Sequence, residues 1–261
     1  MNDIQADITT EKERNYLWHQ LNEKFVKAFA TYRLLQDNDH VLVGLSGGKD
    51  SLLLLKLLAK RERIHHPHFK VDALHVRMEN IHYETSCDYL KQFCEELDVP
   101  LHIRTTRFEV GEASCHSGRD IRRQKSPCFL CSWYRRKELF NLAQQLGCNK
   151  IALGHHQDDI IKTTFMNLIF QGRFGTMPAL LHMKKMPLTI IRPLCMIPEN
   201  DIKRYADLSG FKKQNKLCPY ENRSQRSDID ALFQQAQSLN QEARFSIWKA
   251  LNSEGKLVED Y

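Results

Sequence analysis

Nowhere in the 261 residues does an apolar run approach the length of a membrane span or of a secretory leader. No membrane partner and a cytoplasmic location are therefore the expectation. In that compartment the eight cysteines read as reduced thiols, metal ligands or catalytic groups rather than as disulfides. Internal repeats and low-complexity tracts are absent as well, which leaves one large α/β domain with appendages. A Walker A loop is excluded by spacing: Val43 and Asp50 stand where that motif needs Gly and Ser or Thr. There is also no second C-x-x-C pair to complete a four-cysteine zinc site.

What is present begins at Val41. Val41 to Leu45 is a short apolar, β-branched run that suits a buried strand, and Asp50 to Lys60 continues with helical spacing. Between them Ser46, Gly47 and Gly48 leave backbone N–H groups unobstructed, and the new helix turns its positive dipole end to the same spot. Such a turn is an anion cradle. Lys49 adds a full charge for phosphate oxygens, and Asp50 can hold a magnesium ion on them.

Further strands are expected at Lys70–Val76, Leu101–Thr105, Lys150–Leu153 and Thr189–Ile191. Helices are expected at 84–97, 158–170 and 199–208. This alternation predicts a doubly wound, mainly parallel sheet with flanking helices, and ligands beyond the carboxyl ends of its strands. An apolar stripe of Leu17, Leu21, Phe25, Phe29 and Tyr32 marks an N-terminal helix that packs on the outside of the domain or helps a partner contact. The expected division is an N-terminal helical extension at 1–37, the nucleotide-binding domain at 38–222, and a C-terminal helical tail at 223–261. Residues 106–127, polar and basic, read as a loop.

Cys128-Phe-Leu-Cys131 suits zinc, an iron–sulfur cluster or a redox dithiol. Cys87 and Cys94 share one helix, and Cys148 and Cys195 adjoin strands; all four read as core. Cys115 lies in the polar loop with no role assigned. Cys218 is flanked by basic residues like the pair, so Cys128, Cys131 and Cys218 are the candidate three-thiolate set. Three thiolates fit a four-iron cluster with one iron left open, zinc with a water, or a persulfide on one cysteine.

The net charge of +6 is modest but clustered. Arg119, Arg122, Arg123 and Lys125 precede the cysteine pair, and Arg135, Arg136 and Lys137 follow it. Lys212, Lys213 and Lys216 lead to Cys218, with Arg223 and Arg226 after it. Any one cluster can be a solvated face. Three beside candidate metal ligands point to a polyanion brought to a metal site.

A second motif, Gly154-His155-His156-Gln-Asp158-Asp159, places two imidazoles and two carboxylates between a strand and the next helix. Carboxylates in a helix's first turn can serve as caps; beside a phosphate loop they can also orient magnesium and polyphosphate.

Taken in order, Ser46–Ser51, Cys128-x-x-Cys131, the Gly154–Asp159 motif, Gly172–Pro178, Ile191-Arg-Pro-Leu194 and Cys218 resemble the tRNA 2-thiocytidine synthetase family of PP-loop ATPases. The resemblance spans about residues 15 to 230; Leu217-Cys-Pro-Tyr-Glu-Asn departs from the family's usual segment around the last cysteine. It implies a PP-loop fold of the adenine nucleotide α-hydrolase type and an ATP-dependent tRNA sulfurtransferase. Its acceptor would be a cytidine at position 32, the start of the anticodon loop. The C2 oxygen would attack the α-phosphate of ATP, pyrophosphate would leave, and sulfur would then displace AMP. The implied cofactors are ATP, Mg2+ and a 4Fe-4S cluster. The implied partners are tRNA and a sulfur donor, a cysteine desulfurase or another sulfide or persulfide source; a homodimer is compatible with it.

Residue by residue, the resemblance implies Ser46, Gly47, Gly48, Lys49, Asp50, Ser51, His75, Gly154 and His155 at ATP, and Lys49, Asp50, Asp158 and Asp159 in catalysis. Cys128, Cys131 and Cys218 would hold the metal, and Arg122, Arg123, Arg135, Arg136, Lys212 and Lys213 the RNA. Arg192 either approaches the phosphates or braces the sheet. Two other readings stay open: a PP-loop enzyme thiolating or amidating another acceptor, and a non-catalytic iron–sulfur RNA-binding or redox-sensing protein.

Overall fold

The computed structural model describes residues 2–64, 66–83, 87–108, 126–212, 216–217 and 225–260, of which 2–9, 83, 216–217, 225–226 and 260 by backbone path alone. In chain order these form α1 (Asn2–Tyr32), β1 (Asp39–Gly44), α2 (Lys49–Glu62), β2 (Phe69–Met78), β3 (His82–Tyr83), α3 (Asp88–Glu96), β4 (Leu101–Thr106) and α4 (Pro127–Leu146). There follow β5 (Lys150–Ala152), α5 (Gln157–Gln171), β6 (Leu180–His182), β7 (Thr189–Ile191), α6 (Glu199–Leu208), β8 (Lys216–Leu217), α7 (Gln225–Leu239), α8 (Ala243–Ser253) and β9 (Val258–Asp260).

Seven strands make the main sheet in the order β4-β2-β1-β5-β7-β6-β9. The five expected strands are the parallel ones, β4, β2, β1, β5 and β7. β6 joins β7 antiparallel and β9 runs parallel to β6. Three-residue strands such as β6 and β9 carry too few residues for an alternating pattern to be read. The expected helical tail thus ends in a strand that closes the sheet. β1 has β2 on one side and β5 on the other, so the strand order reverses between β1 and β5. A crevice opens at such a switch point, beyond the carboxyl ends of the strands.

Both faces of the central strands are covered, which is why Val41–Val43, Ile151–Ala152 and Ile190–Ile191 are apolar, whereas the edge strand β4 is largely open to solvent. Val41, Val43, Ala73 and Ala152 face a core shared with α1, α2, α3, α5 and α6. The alternating residues Leu42, Leu74 and Ile151 meet Leu139, Leu142 and Ala143 of α4 on the other face. α4 ends at Gly147, whose φ of +69° suits glycine alone without strain. The stripe of α1 is set deep: Leu17, Leu21 and Phe25 are buried in the main core rather than lying loosely outside it. Cys87, Cys94, Cys148 and Cys195 are buried as expected. Among the described residues no helix is long and apolar enough to cross a membrane. The loop expected at 106–127 falls largely outside the described residues, as does Cys115.

Candidate active site

β1 continues one residue past its end, with Leu45 N–H donating to the Leu74 carbonyl at 2.9 Å. The chain then turns through Ser46, Gly47 and Gly48, and Gly47 takes φ +83°, a left-handed conformation that side-chain-bearing residues rarely adopt. The two serines hold this turn. Ser51 Oγ donates to the Gly48 carbonyl at 2.9 Å and accepts from Ser46 N–H at 3.2 Å, while Ser46 Oγ accepts from Gly48 N–H at 3.3 Å. Gly48 is the N-cap of α2 and offers no capping side chain, so the first-turn amides are left to a ligand.

The register pairs Val43 with Ala152, which brings Gly154 level with this loop. A Cβ on Gly154 would lie 3.1 Å from Ser51 N and 3.2 Å from the Asp50 carbonyl carbon. Only glycine lets the end of β5 press this closely on the first turn of α2.

Beyond the loop lies a cavity of about 260 Å³ lined by Asp50, His156, Asp159, Lys162, Thr163, Met166, Met177, Glu199, Ile229 and Asp230. One chain of ion pairs runs through it. Lys49 Nζ is 3.1 Å from Glu199 Oε1 and 3.1 Å from Asp50 Oδ1. Glu199 Oε2 lies 3.6 Å from Lys162 Nζ, which in turn sits 2.7 Å from Asp230 Oδ1. Burial works against the charge on both lysines. Asp50 and Glu199 outweigh it at Lys49, and Asp230 and Glu199 at Lys162, so both ammoniums are held above the ordinary lysine range. For Glu199 burial pushes upward, but Lys49 outweighs it and keeps the carboxylate ionised below its usual range. The ammonium of Lys49 makes its hydrogen bond to Asp50 Oδ2 at 3.3 Å, which leaves the buried Oδ1 without one.

The two neighbouring carboxylates have different surroundings. Asp159 closes a capping box with His156 and faces the cavity. Asp158 turns away from it and is buried. Its Oδ1 accepts from Arg244 of α8 at 2.7 Å, and its Oδ2 accepts from the backbone N–H of Glu199 at 2.7 Å. Burial raises its pKa, but these bonds outweigh that and hold it below the ordinary carboxylate range. Asp158 therefore positions the start of α6, and with it Glu199.

Arg192 is buried and braces loops, donating from Nε to His155 Nδ1 at 3.3 Å and to the Pro178 carbonyl. That ties up one imidazole nitrogen of His155. His75 is 2% exposed at the far end of β2. Its Nδ1 lies 2.7 Å from the Leu45 carbonyl, so that nitrogen carries the proton. Burial, with Arg135 and Arg77 nearby, holds the ring neutral, and its Nε2 has no hydrogen-bond partner. His75 thus supports the residue just before the loop.

Cys128 lies in the first turn of α4 and Cys131 one turn on, behind the N-cap Ser126, which accepts from Phe129 N–H at 3.3 Å. Cys128 is exposed and Cys131 half-buried. Cys218 lies outside the described residues, as do Arg122, Arg123 and Lys213. The chain just before it is placed: Leu217 pairs with His82 in the β3–β8 ribbon. Its neighbour Ile81 packs in one cluster with Leu130, and Cys131 borders that cluster. The two described thiols, one helical turn apart, suit thiolate ligation of a cluster; the third candidate ligand lies outside the described residues. Among the described residues no three His, Cys, Asp or Glu side chains gather as a metal site.

Of the remaining RNA candidates, Arg136 is exposed and bonds the Ser132 carbonyl at 3.1 Å, Arg135 is half-buried, and exposed Lys212 lies over the Tyr89 ring. Lys162, Glu199, Asp230 and Arg244 were not singled out as site residues from sequence, and His156 only as a member of the second motif. Lys162 could have been noticed one helical turn beyond Asp158 and Asp159; Asp230 and Arg244 carry no local signal.

Residues 17–229 match the PP-loop domain family. The tRNA-cytidine(32) 2-sulfurtransferase of Bordetella petrii is 34% identical over 249 residues, covering 95% of this chain and 74% of the relative. The enzyme of the same name from Bordetella avium is 33% identical over 232 residues, covering 88% and 71%. Among solved structures, the U34-tRNA thiolase NcsA from Methanococcus maripaludis with its 4Fe-4S cluster superposes with a TM-score of 0.70 at 26% identity. It covers 94% of this chain and 81% of that one.

Proposed function

The chain belongs to the tRNA 2-thiocytidine synthetase family of PP-loop ATP-binding enzymes, and from that premise we propose how its own residues carry out ATP-dependent tRNA thiolation. The acceptor is the C2 position of the cytidine that opens the anticodon loop, position 32. A base in a loop is less costly to extrude than one in a duplex, and its Watson–Crick edge is then open to chemistry. The C2 oxygen attacks the α-phosphorus of ATP, pyrophosphate departs, and sulfur attack at C2 expels AMP with the original oxygen.

The observation that carries this reading is the loop at Gly48–Ser51, with uncapped amides and Lys49 paired to Asp50 and Glu199, two of the carboxylates that line the cavity. Those amides and Lys49 hold the pyrophosphate as negative charge builds on it. Asp50 Oδ1, the buried oxygen without a hydrogen bond, and Asp159 across the cavity are the ligands offered to Mg2+. Asp158 acts through Glu199 and is a positioning residue rather than a metal ligand. His75 supports the loop from below and Gly154 admits its close packing.

Cys128, Cys131 and Cys218 would hold the 4Fe-4S cluster, which when bound supplies an iron open to the incoming sulfur. Arg136 and Lys212, with Arg122, Arg123, Arg135 and Lys213, contribute the basic surface for the tRNA backbone, which makes binding salt-sensitive. The helices on either side of the PP-loop domain, 1–37 and 223–261, serve as its supports, and a sulfur donor completes the reaction.

The test is anaerobic turnover of the cluster-loaded enzyme with tRNA, ATP, Mg2+ and sulfide, followed by mass spectrometry of the nucleosides. The expected result is AMP and 2-thiocytidine in equal amounts, both abolished by Lys49→Met. A different thionucleoside would overturn the assignment of the base, and absence of AMP with competent tRNA would overturn the chemistry.

A further inference from the structure

Glu199 occupies an unusual place in the cavity. Its two oxygens bridge two lysines from different elements, Lys49 of the loop at 3.1 Å and Lys162 of α5 at 3.6 Å. A carboxylate bridging two ammoniums spans them much as two non-bridging oxygens of a phosphate would. Lys162 is itself tied to Asp230 of α7 at 2.7 Å. The carboxylates are the outer members of this chain: the side chains of Glu199 and Asp230 are 40% and 45% exposed, those of Lys49 and Lys162 28% and 22%. A carboxylate that can turn into water is readily displaced; an ammonium held in the wall stays to meet what replaces it. Lys162 also lines the same cavity as Asp50, Asp159 and Glu199.

We propose that Lys162 is a second phosphate-binding cation of the site, on the same pyrophosphate group as Lys49, and that Glu199 and Asp230 hold its place until the nucleotide enters. This rests on the reading above that ATP binds at the loop. Nucleotide entry then breaks three ion pairs, Lys49–Glu199, Lys162–Glu199 and Lys162–Asp230, and the last of these ties α5 to α7. The raised pKa of Lys162 agrees with an ammonium that stays charged throughout.

The test is calorimetric titration of the full chain with ATP, inorganic pyrophosphate and AMP, each with Mg2+. Lys162→Met is expected to weaken ATP and pyrophosphate by about tenfold or more, the loss of one charged hydrogen bond, and to leave AMP within about twofold. Asp230→Asn is expected to tighten ATP, because it removes the competitor for the same ammonium. Asp228→Asn removes an equal charge from the first turn of the same helix and is expected to change nothing. Thermal unfolding of each variant separates binding loss from a failure to fold, and Lys162→Arg, keeping the charge, should restore most of the affinity.

If Lys162→Met and Asp230→Asn weaken ATP alike, the pair is only a clasp between helices and the proposal fails. It also fails if Asp228→Asn tightens ATP as much as Asp230→Asn, which would reveal a general field, or if AMP weakens as much as ATP. If Lys49→Met also leaves ATP binding intact, the fault lies in the site reading itself, since no phosphate then reaches this cavity.

Discussion

At the N-terminal edge of the sheet, Asp39 accepts from Gln36 N–H at 2.6 Å and from Asn149 Nδ2 at 2.8 Å, and it lies 3.3 Å from Lys150 Nζ. Both members of that ion pair are buried. At the C-terminal edge, Lys49 shares its charge between Asp50 and Glu199, which line the cavity beside it. One edge is closed on itself: every partner is protein, and no ligand could replace one without leaving a buried charge. The other is assembled from replaceable partners around an oxygen that lacks a hydrogen bond, Asp50 Oδ1. Charges closed on one another and charges left open to a ligand thus stand at opposite ends of the same strand, β1. What separates them is completeness of pairing and depth of burial.

Removing the buried carboxylate tests the static edge. Asp39→Ala leaves Lys150 charged and unpaired, and the expected loss is about 3–5 kcal/mol of stability, the cost of orphaning a buried ion. Denaturant unfolding measures it; a loss under about 1 kcal/mol would mean that water reaches Lys150 and the edge is not closed.

The reciprocal change at the working edge should behave oppositely. Lys49→Met is expected to lower AMP formation by about a hundredfold to a thousandfold, the scale for removing one preorganised donor to developing charge. Its melting temperature should stay close to that of the unchanged protein, because the lost partners, Asp50 and Glu199, are part-exposed. A large drop in stability with little loss of rate would erase the contrast between the edges.

Asp158 lies between the two types, buried and fully paired but adjacent to the cavity. Its folded pKa is depressed below the ordinary 3.8. The stability it contributes is therefore complete above that value and is lost as pH falls through the folded value. Arg244→Met removes one of the two bonds that depress it, and the expected cost at neutral pH is about 1.5–3 kcal/mol. With the depression reduced, the pH-dependent part of Asp158's contribution shrinks, so the variant, less stable at neutral pH, should lose less further stability on acidification through this range than the unchanged protein. Coincident acid-unfolding curves would show that Arg244 does not hold Asp158.

The local units of this protein were legible because their signals are local. Val41–Leu45 followed by Ser46–Ser51 specifies strand, turn and helix within eleven residues, through side-chain volume, glycine freedom and hydroxyl-to-backbone bonding. The same holds for the Gly154–Asp159 motif at the end of β5 and for the apolar stripe of α1. The depth of that stripe was not legible, since periodicity shows a face but not what covers it. Neither were β6 and β9, whose three residues each take their conformation from the neighbour they pair with.

Within the site, the division of labour between Asp158 and Asp159 shows the limit most clearly. As neighbours in a helix's first turn they are indistinguishable in sequence. A helix sets successive side chains about 100° apart, so one points into the cavity and the other toward α8, where Arg244 waits more than eighty residues later in the chain. The sequence alone determined the phosphate loop, the cysteine pair and the parallel α/β architecture, because each depends on residues close along the chain. Tertiary structure alone decided that Glu199, Lys162 and Asp230 join Lys49, because they come from three separate helices that meet only when the sheet is closed and covered.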